Sequence, residues 1–453
     1  MTANPGETPA GKAGAGTADL TLDTKVAAAD VPPELVAQSL GQYLRASLVR
    51  LRSGNSGVLP VVLAIVIVAV VFEIITPEHA FLRPSNLVYI FGLSTVYMVL
   101  AIAETAVLLL AEVDLSTGAV ALIGGVIAFK LVQQDPGPNW PWWAAILAAL
   151  AICGAIGALQ GALIALLRIP SFVVTLAGFL LFSGILVVIL GGADSTVSLN
   201  TAVPNQNIIY EMVQGLITPV VAWIILAVVV AAVGTAMWRR TTARRRQGLT
   251  APPLGLIAIR IALVAIVGAA VVAVCSVNRG SALKSVSGIP WVIPIVLVVL
   301  GAWTLVLQRT RFGRYMYAIG GNPEAARRAG VSLPAIRIWA FALSSATAAL
   351  GGILLGSFFY GQYSTNTADP GQLVLYSIAA AVIGGVSLFG GRGKAIHGVL
   401  GGLLIGGIAY GVSLLSLGSL STPLQYILPG GVLLAAVLID VLSRRGAGSV
   451  TGV

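Results

Sequence analysis

The sequence predicts an all-α fold, a polytopic transmembrane helix bundle of roughly twelve spans with both termini in the cytoplasm. Three observations lead there. The 453 residues are 57% hydrophobic and only 9% charged, with mean hydropathy +0.97, whereas a soluble domain carries about 25% charged residues. The surplus apolar surface has to face lipid. The apolar residues fall into separate runs of about 20 residues, the length that crosses a bilayer. The basic residues between those runs favour alternate gaps, the asymmetry expected of cytoplasmic loops.

The chain opens with an expected cytoplasmic tail over residues 1–57. Its first part is rich in Gly, Ala, Thr and Pro, has no apolar period and reads as disordered. It lacks the apolar core of a signal peptide. Glu34–Arg52 follows, with Leu40, Leu44, Leu48 and Leu51 at helical spacing beside Arg45, Arg50 and Arg52. That pattern suits a helix lying on the membrane surface, or a plain basic anchor before the first span.

The transmembrane domain is expected over residues 58–442, with spans near 58–76, 88–110, 115–133, 141–167, 171–191, 217–238, 255–275, 289–308, 336–358, 373–388, 395–417 and 425–442. The run 373–388 is the shortest and most polar. The interruption at 111–114 reads as a loop or a re-entrant bend. Residues 443–453 are a cytoplasmic C-terminal tail. With the N-terminus inside, the cytoplasmic gaps hold Arg168, Arg239, Arg240, Arg244–Arg246, Arg309, Arg311, Arg314, Arg327, Arg328, Arg392, Lys394, Arg444 and Arg445, while the outer ones hold only Arg83, Lys130, Arg279 and Lys284. Shifting the count by one span would scramble this bias.

The same distribution explains the net charge of +10 without nucleic acid, which would need a basic face on a soluble domain. Cys153 and Cys275 sit inside apolar runs and read as small buried residues. His79 and His397 are far apart with no cysteine companions, so no metal site is expected. Glycine pairs four apart (Gly157 and Gly161, Gly352 and Gly356, Gly398 and Gly402, Gly407 and Gly411) predict closely packed helices.

No catalytic cluster is apparent. Gly390, Gly391, Arg392, Gly393 and Lys394 resemble a phosphate loop, but Leu388 and Ala395 stand where a nucleotide loop needs Gly and Ser or Thr. A tight cytoplasmic turn explains them. Charges inside apolar runs are few: Glu73, Glu104, Glu112, Asp114 and Asp440. Each costs about 2.5–3.5 kcal/mol at mid-bilayer on insertion scales. Asp114 reads as an N-cap, with Ser116 in the first turn of the helix that follows. A place in the translocation path is the alternative for Asp114 and Ser116, and for Glu104, which lies deep in a span. The long cytoplasmic stretch after the eighth span predicts a short amphipathic helix: Asn322 caps it, Pro323 starts it, Glu324 lies in its first turn and Gly330 stops it. Such a helix suits docking into a cleft on a cytoplasmic partner.

This stretch resembles the permease subunits of bacterial ATP-binding cassette importers, in which a Glu-Ala-Ala loop docks on the ATPase; here it reads Glu324, Ala325, Ala326 and, after three residues, Gly330. More of the chain is similar to one branch, the ribose/xylose-type monosaccharide permeases. Asp114-Leu115-Ser116-Thr117-Gly118, the segment Leu167–Leu176 with Thr175 in it, Gly313–Gly330 and Gly384–Gly393 match that branch in order across residues 60–442. Ala111, Glu112 and Val113 stand where the branch usually has glycine or similar residues and then Ile, and Gln160 stands where it often has Asn. An extra pair of spans around Trp238–Arg246 is similar to the long middles of xylose-type members. The resemblance implies two permease copies forming a homodimer, two cytoplasmic ATPase subunits holding ATP and Mg, and an extracytoplasmic sugar-binding protein. The permease itself would bind no cofactor and would be no enzyme. Gly118 and Thr175 join Glu104, Asp114 and Ser116 as expected path or gate residues. Alternatives are a permease for a nucleoside or a branched-chain amino acid, or a secondary carrier, which would need inverted repeats and a charged midplane site.

Overall fold

The computed structural model describes residues 58–448, apart from 136, 193–194, 250, 252–253, 282–284 and 365–368. The expected surface helix over Glu34–Arg52 lies outside the described residues. The helices, in chain order, are α1 Leu59–Ile75, α2 Pro84–Leu108, α3 Thr117–Val132, α4 Trp142–Leu167, α5 Ser171–Leu190, α6 Pro204–Gln214, α7 Pro219–Arg246, α8 Leu254–Ser276, α9 Val292–Arg309, α10 Arg311–Gly321, α11 Pro323–Arg328, α12 Leu333–Phe358, α13 Pro370–Gly384, α14 Ala395–Leu414 and α15 Ser421–Gly448. Among the described residues nine helices are long and apolar enough to cross a membrane, and α1, α3 and α13 are shorter apolar helices. These twelve elements coincide with the twelve expected runs. The fold is an all-α polytopic bundle.

Contacts divide the chain into two units. The described part of the smaller one is Val229–Ala265, a helix pair in which Gly234 faces Ile261. The sequence predicts a loop over Trp238–Arg246, but α7 continues through Arg246. Ala and Arg are strong helix formers, the hydroxyls of Thr241 and Thr242 donate to the carbonyls of Met237 and Trp238, and the first stop is Gly248 at φ +68°.

The larger unit holds everything else. Its core is built from α2, α3, α12, α13 and α14, whose side chains are buried over most of their length. The glycine pattern explains how these backbones approach. On α14, a Cβ at Gly398, Gly402 or Gly406 would strike Ile102, Met98 or Ser94 of α2, a small-residue stripe meeting its antiparallel neighbour turn by turn. On α4, Gly157 and Gly161 lie against Phe341 and Ile338 of α12 in the same way. Helices α1 and α5, by contrast, expose large apolar side chains such as Leu63 (58%) and Val188 (79%), the apolar outer surface expected of a membrane-embedded bundle.

Two short antiparallel strand pairs tie the outer loops and were not apparent in the sequence. β1 Thr196–Ser198 pairs with β4 Gln362–Ser364, and β2 Leu216–Ile217 pairs with β3 Ile289–Pro290. Strands of two or three residues are too short to show a period.

Candidate translocation and coupling site

Helix α2 ends at Leu108, and Ala111 adopts φ +60°, which turns the chain out of the helix. The backbone then re-enters the bundle at Asp114, fully buried. Buried backbone without helical bonds needs other partners, and the side chains here supply them. Asp114 does not cap the first turn of α3 from the N-cap position, which Ser116 occupies. Its Oδ1 instead accepts from the Ser116 N–H at 2.9 Å and the Ser116 Oγ at 2.6 Å, an Asx-type turn ahead of the helix. Thr117 Oγ1 donates to the Asp114 carbonyl. From α4, Gln160 Nε2 donates to Ser116 Oγ at 2.9 Å. From the start of α5, Thr175 Oγ1 donates to the Val113 carbonyl at 3.2 Å, and Ser171 Oγ accepts from the Val113 N–H at 3.3 Å. Gly118 faces the first turn of α13, where a Cβ would strike the Pro370 carbonyl. Asp114, Ser116, Gly118 and Thr175 thus form one buried polar junction where α3, α4, α5 and α13 meet. Glu104, one helix over, is fully buried beside Asp114 and Thr117. Neither of its carboxyl oxygens, nor Asp114 Oδ2, has a hydrogen-bond partner among the described residues.

Two of the pairings at the break were not apparent in the sequence. Gln160 was noted only as a departure from a family pattern. Glu112 forms an ion pair with Arg337 of α12 at 3.0 Å, with both side chains mostly shielded. The two lie far apart in the chain, and no local spacing could have paired them.

The short cytoplasmic helix forms as its residues dictate. Asn322 Oδ1 accepts from the Ala325 N–H at 3.0 Å, with Pro323 at the first helical position. Glu324 pairs with Arg327 at 2.9 Å and Arg328 at 3.2 Å. These hydrogen bonds, Arg327 first, hold its exposed carboxyl below the usual range. The helix ends with the Gly330 N–H on the Arg327 carbonyl and the Val331 N–H on the Ala326 carbonyl, a closure that needs a left-handed residue at Gly330, φ +80°. Ala326 is buried in an apolar cluster with Leu110, Met316 and Ile319, while Ala325 and Glu324 stay exposed.

The glycine turn joins this helix to the break. The Gly391 N–H donates to the Leu109 carbonyl at 3.0 Å. Gly320, at the end of α10, presses on the same carbonyl and on Gly391 N so closely that no Cβ fits. Tyr317 Oη donates to the Gly393 carbonyl at 2.7 Å, and the Ser387 N–H closes the turn on the Arg392 carbonyl at 2.9 Å. Gly390 lies against Ala111. The turn is therefore a structural bracket whose backbone bonds are spent inside the protein.

An apolar bundle with a buried polar break, braced on one side by a capped helix and a glycine turn, is the architecture of a multi-pass membrane protein. A family profile described as "Branched-chain amino acid transport system / permease component" matches residues 86–437, and the chain belongs to that family of multi-pass permeases. It is 32% identical to the xylose transport system permease protein XylH of Escherichia coli K12 over 85% of this chain and 92% of that protein. The Haemophilus influenzae XylH is 32% identical over 87% of this chain and 99% of its own length. The ribose import permease protein RbsC of Escherichia coli K12 is 27% identical over 83% and 92%. No solved structure matches.

Proposed function

We propose that this chain is the membrane-spanning permease subunit of an ATP-driven monosaccharide importer in the bacterial inner membrane, with xylose the favoured sugar. The substrate reading rests on relatives. Those named for xylose reach 32% identity, against 27% for a ribose permease and 26% for a D-allose permease. In this reading a separate cytoplasmic ATPase holds ATP and Mg, an extracytoplasmic binding protein delivers the sugar, and a second copy of the chain completes the path.

The observation that carries the mechanism is the continuity from α11 to the buried break. Helix α11 presents Glu324 and Ala325 outward and rests on α10, and Gly320 of α10 abuts Leu109 and Gly391 directly. A partner that shifts α11 on binding or hydrolysing ATP would shift the break beside Asp114 with it. The permease contributes a path and a two-state packing, and its side chains need perform no covalent chemistry.

The test is uptake in cells lacking other pentose importers, with this chain expressed together with a candidate ATPase and a candidate binding protein from the same genome. D-Xylose, D-ribose, D-allose, a nucleoside and leucine are offered as labelled solutes. Xylose is expected to enter fastest, and only while the ATPase is active. Preferred uptake of leucine or the nucleoside would replace the sugar reading, and uptake without the ATPase would replace the coupling.

A further inference from the structure

We infer that the end of the bundle opposite α11 carries a contact site for a neutral monosaccharide, built on a tyrosine cluster spanning α2, α13, α14 and α15. Five of the chain's eleven tyrosines gather there. Tyr89 of α2 packs against Tyr410 of α14 at 4.5 Å between ring centroids. Two turns deeper, Tyr97 meets Tyr376 of α13 edge-on at 5.3 Å, and Tyr376 meets Tyr426 of α15 at 6.5 Å. Tyr89 and Tyr97 both lie on α2, which joins the pair and the trio at the same end of the bundle.

The polar groups around the rings suit a polyol. Tyr426 Oη donates to Asp369 Oδ2 at 3.2 Å, Tyr410 Oη donates to Asn86 Oδ1 at 2.9 Å, and Gln372 Nε2 donates to Tyr376 Oη at 3.3 Å. Among the described residues the Tyr89 and Tyr97 hydroxyls form no hydrogen bond. Aromatic faces with a few convergent hydroxyl, amide and carboxylate groups are how a protein holds a small ligand with apolar C–H faces and a rim of hydroxyls. One carboxylate and no cation among these contacts favour an uncharged ligand. Isolated interfacial tyrosines anchor helices at the headgroup level, but these rings touch one another. Tyr97 lies eight residues below Tyr89, about 12 Å along the helix, and is buried to 6% exposure. The cluster lies beside the loops with few basic residues, the side from which a delivered sugar arrives. The assignment deepens the sugar reading above and shares its orientation.

The test is saturation-transfer NMR on the purified permease in detergent micelles with D-xylose, D-ribose and D-allose, followed by uptake with the complete transporter. The binding readout needs no ATPase, so a failure of the coupling reading leaves it intact. Saturation transfer from the wild type to D-xylose is expected. Tyr97→Phe, Tyr426→Phe and Asp369→Asn should each weaken it and raise the half-saturating sugar concentration for uptake roughly two- to tenfold, the weight of one neutral hydrogen bond. Membrane amount and ATPase co-purification should not change. The inference is overturned if the wild type transfers saturation to none of the three sugars, or if all three variants keep wild-type binding and half-saturation, which would leave the cluster as an interfacial anchor.

Discussion

Asp114 bears the most structural duty for one side chain in the junction. Its Oδ1 satisfies both the N–H and the hydroxyl of Ser116 in a fully buried place. Asn offers the same acceptor, so Asp114→Asn is predicted to assemble and retain most uptake. Asp114→Leu leaves the buried Ser116 N–H unpaired, at about 1–3 kcal/mol, and forces the Ser116 hydroxyl onto Gln160 Oε1 alone, 3.2 Å away; it is predicted to lose assembly, read by size-exclusion of the solubilised permease. Glu104→Gln keeps the shape of a side chain whose oxygens have no partner, and is predicted to retain assembly and uptake. Loss of uptake in well-assembled Asp114→Asn or Glu104→Gln protein would show that the charge is used. At this scale the local arrangements were legible in the sequence. Asn322, Pro323, Glu324 and Gly330 adopt the geometry their order predicts, because caps and stops are settled within a few residues. The pairings of Ser116 with Gln160, Val113 with Thr175 and Glu112 with Arg337 were not, since each joins different helices and depends on packing that no spacing encodes.

The elements divide in the same way. All twelve apolar runs became helices, because length and hydrophobicity alone decide what crosses a bilayer. The amphipathic α6 and α10 and the four short strands were missed or only partly seen, since they lie where polar sequence follows the surfaces beneath it. The cluster of arginines after Trp238 predicts a loop, whereas the helix propensity of Ala and Arg carries α7 through Arg246. The bracket between α10 and the glycine turn yields a prediction of its own. Gly320→Val would strike the Leu109 carbonyl and Gly391 N, at an overpacking cost of about 1–3 kcal/mol. It is predicted to keep the ATPase bound through the untouched α11 while lowering ATP-driven uptake about tenfold. Gly321→Val meets open space and should leave uptake within about twofold. Equal effects of the two would dissolve the bracket. The pH behaviour of α11 follows from Glu324. Hydrogen bonds from Arg327 and then Arg328 hold its carboxyl below the usual carboxylate range. A depressed carboxylate contributes its ion pairs above its unfolded pKa and loses them as pH falls through the folded one. ATPase co-purification should therefore be insensitive to this group between about pH 5 and 8.

For the whole molecule, the orientation rests on the basic residues and is open to direct labelling. Cys153 and Cys275 are both buried, so an introduced cysteine reports alone. On the cytoplasmic side Ala243 is exposed and gives an accessible probe position. In intact cells an impermeant thiol reagent is predicted to label Thr201→Cys and spare Ala243→Cys; the reverse would invert the topology. In the proposed mechanism, drive enters from a separate ATPase through α11. Gly330 adopts φ +80° with open space around it, and Glu324 is exposed, so changing either touches neither lipid nor core. The most direct measurement is sugar-stimulated ATP hydrolysis, with ATPase pull-down, by the complete transporter in proteoliposomes, comparing the wild-type permease with Gly330→Asp and Glu324→Lys. Both variants are expected to insert normally, bind the ATPase weakly and lose sugar-stimulated hydrolysis; wild-type pull-down and hydrolysis in both would remove α11 from the coupling.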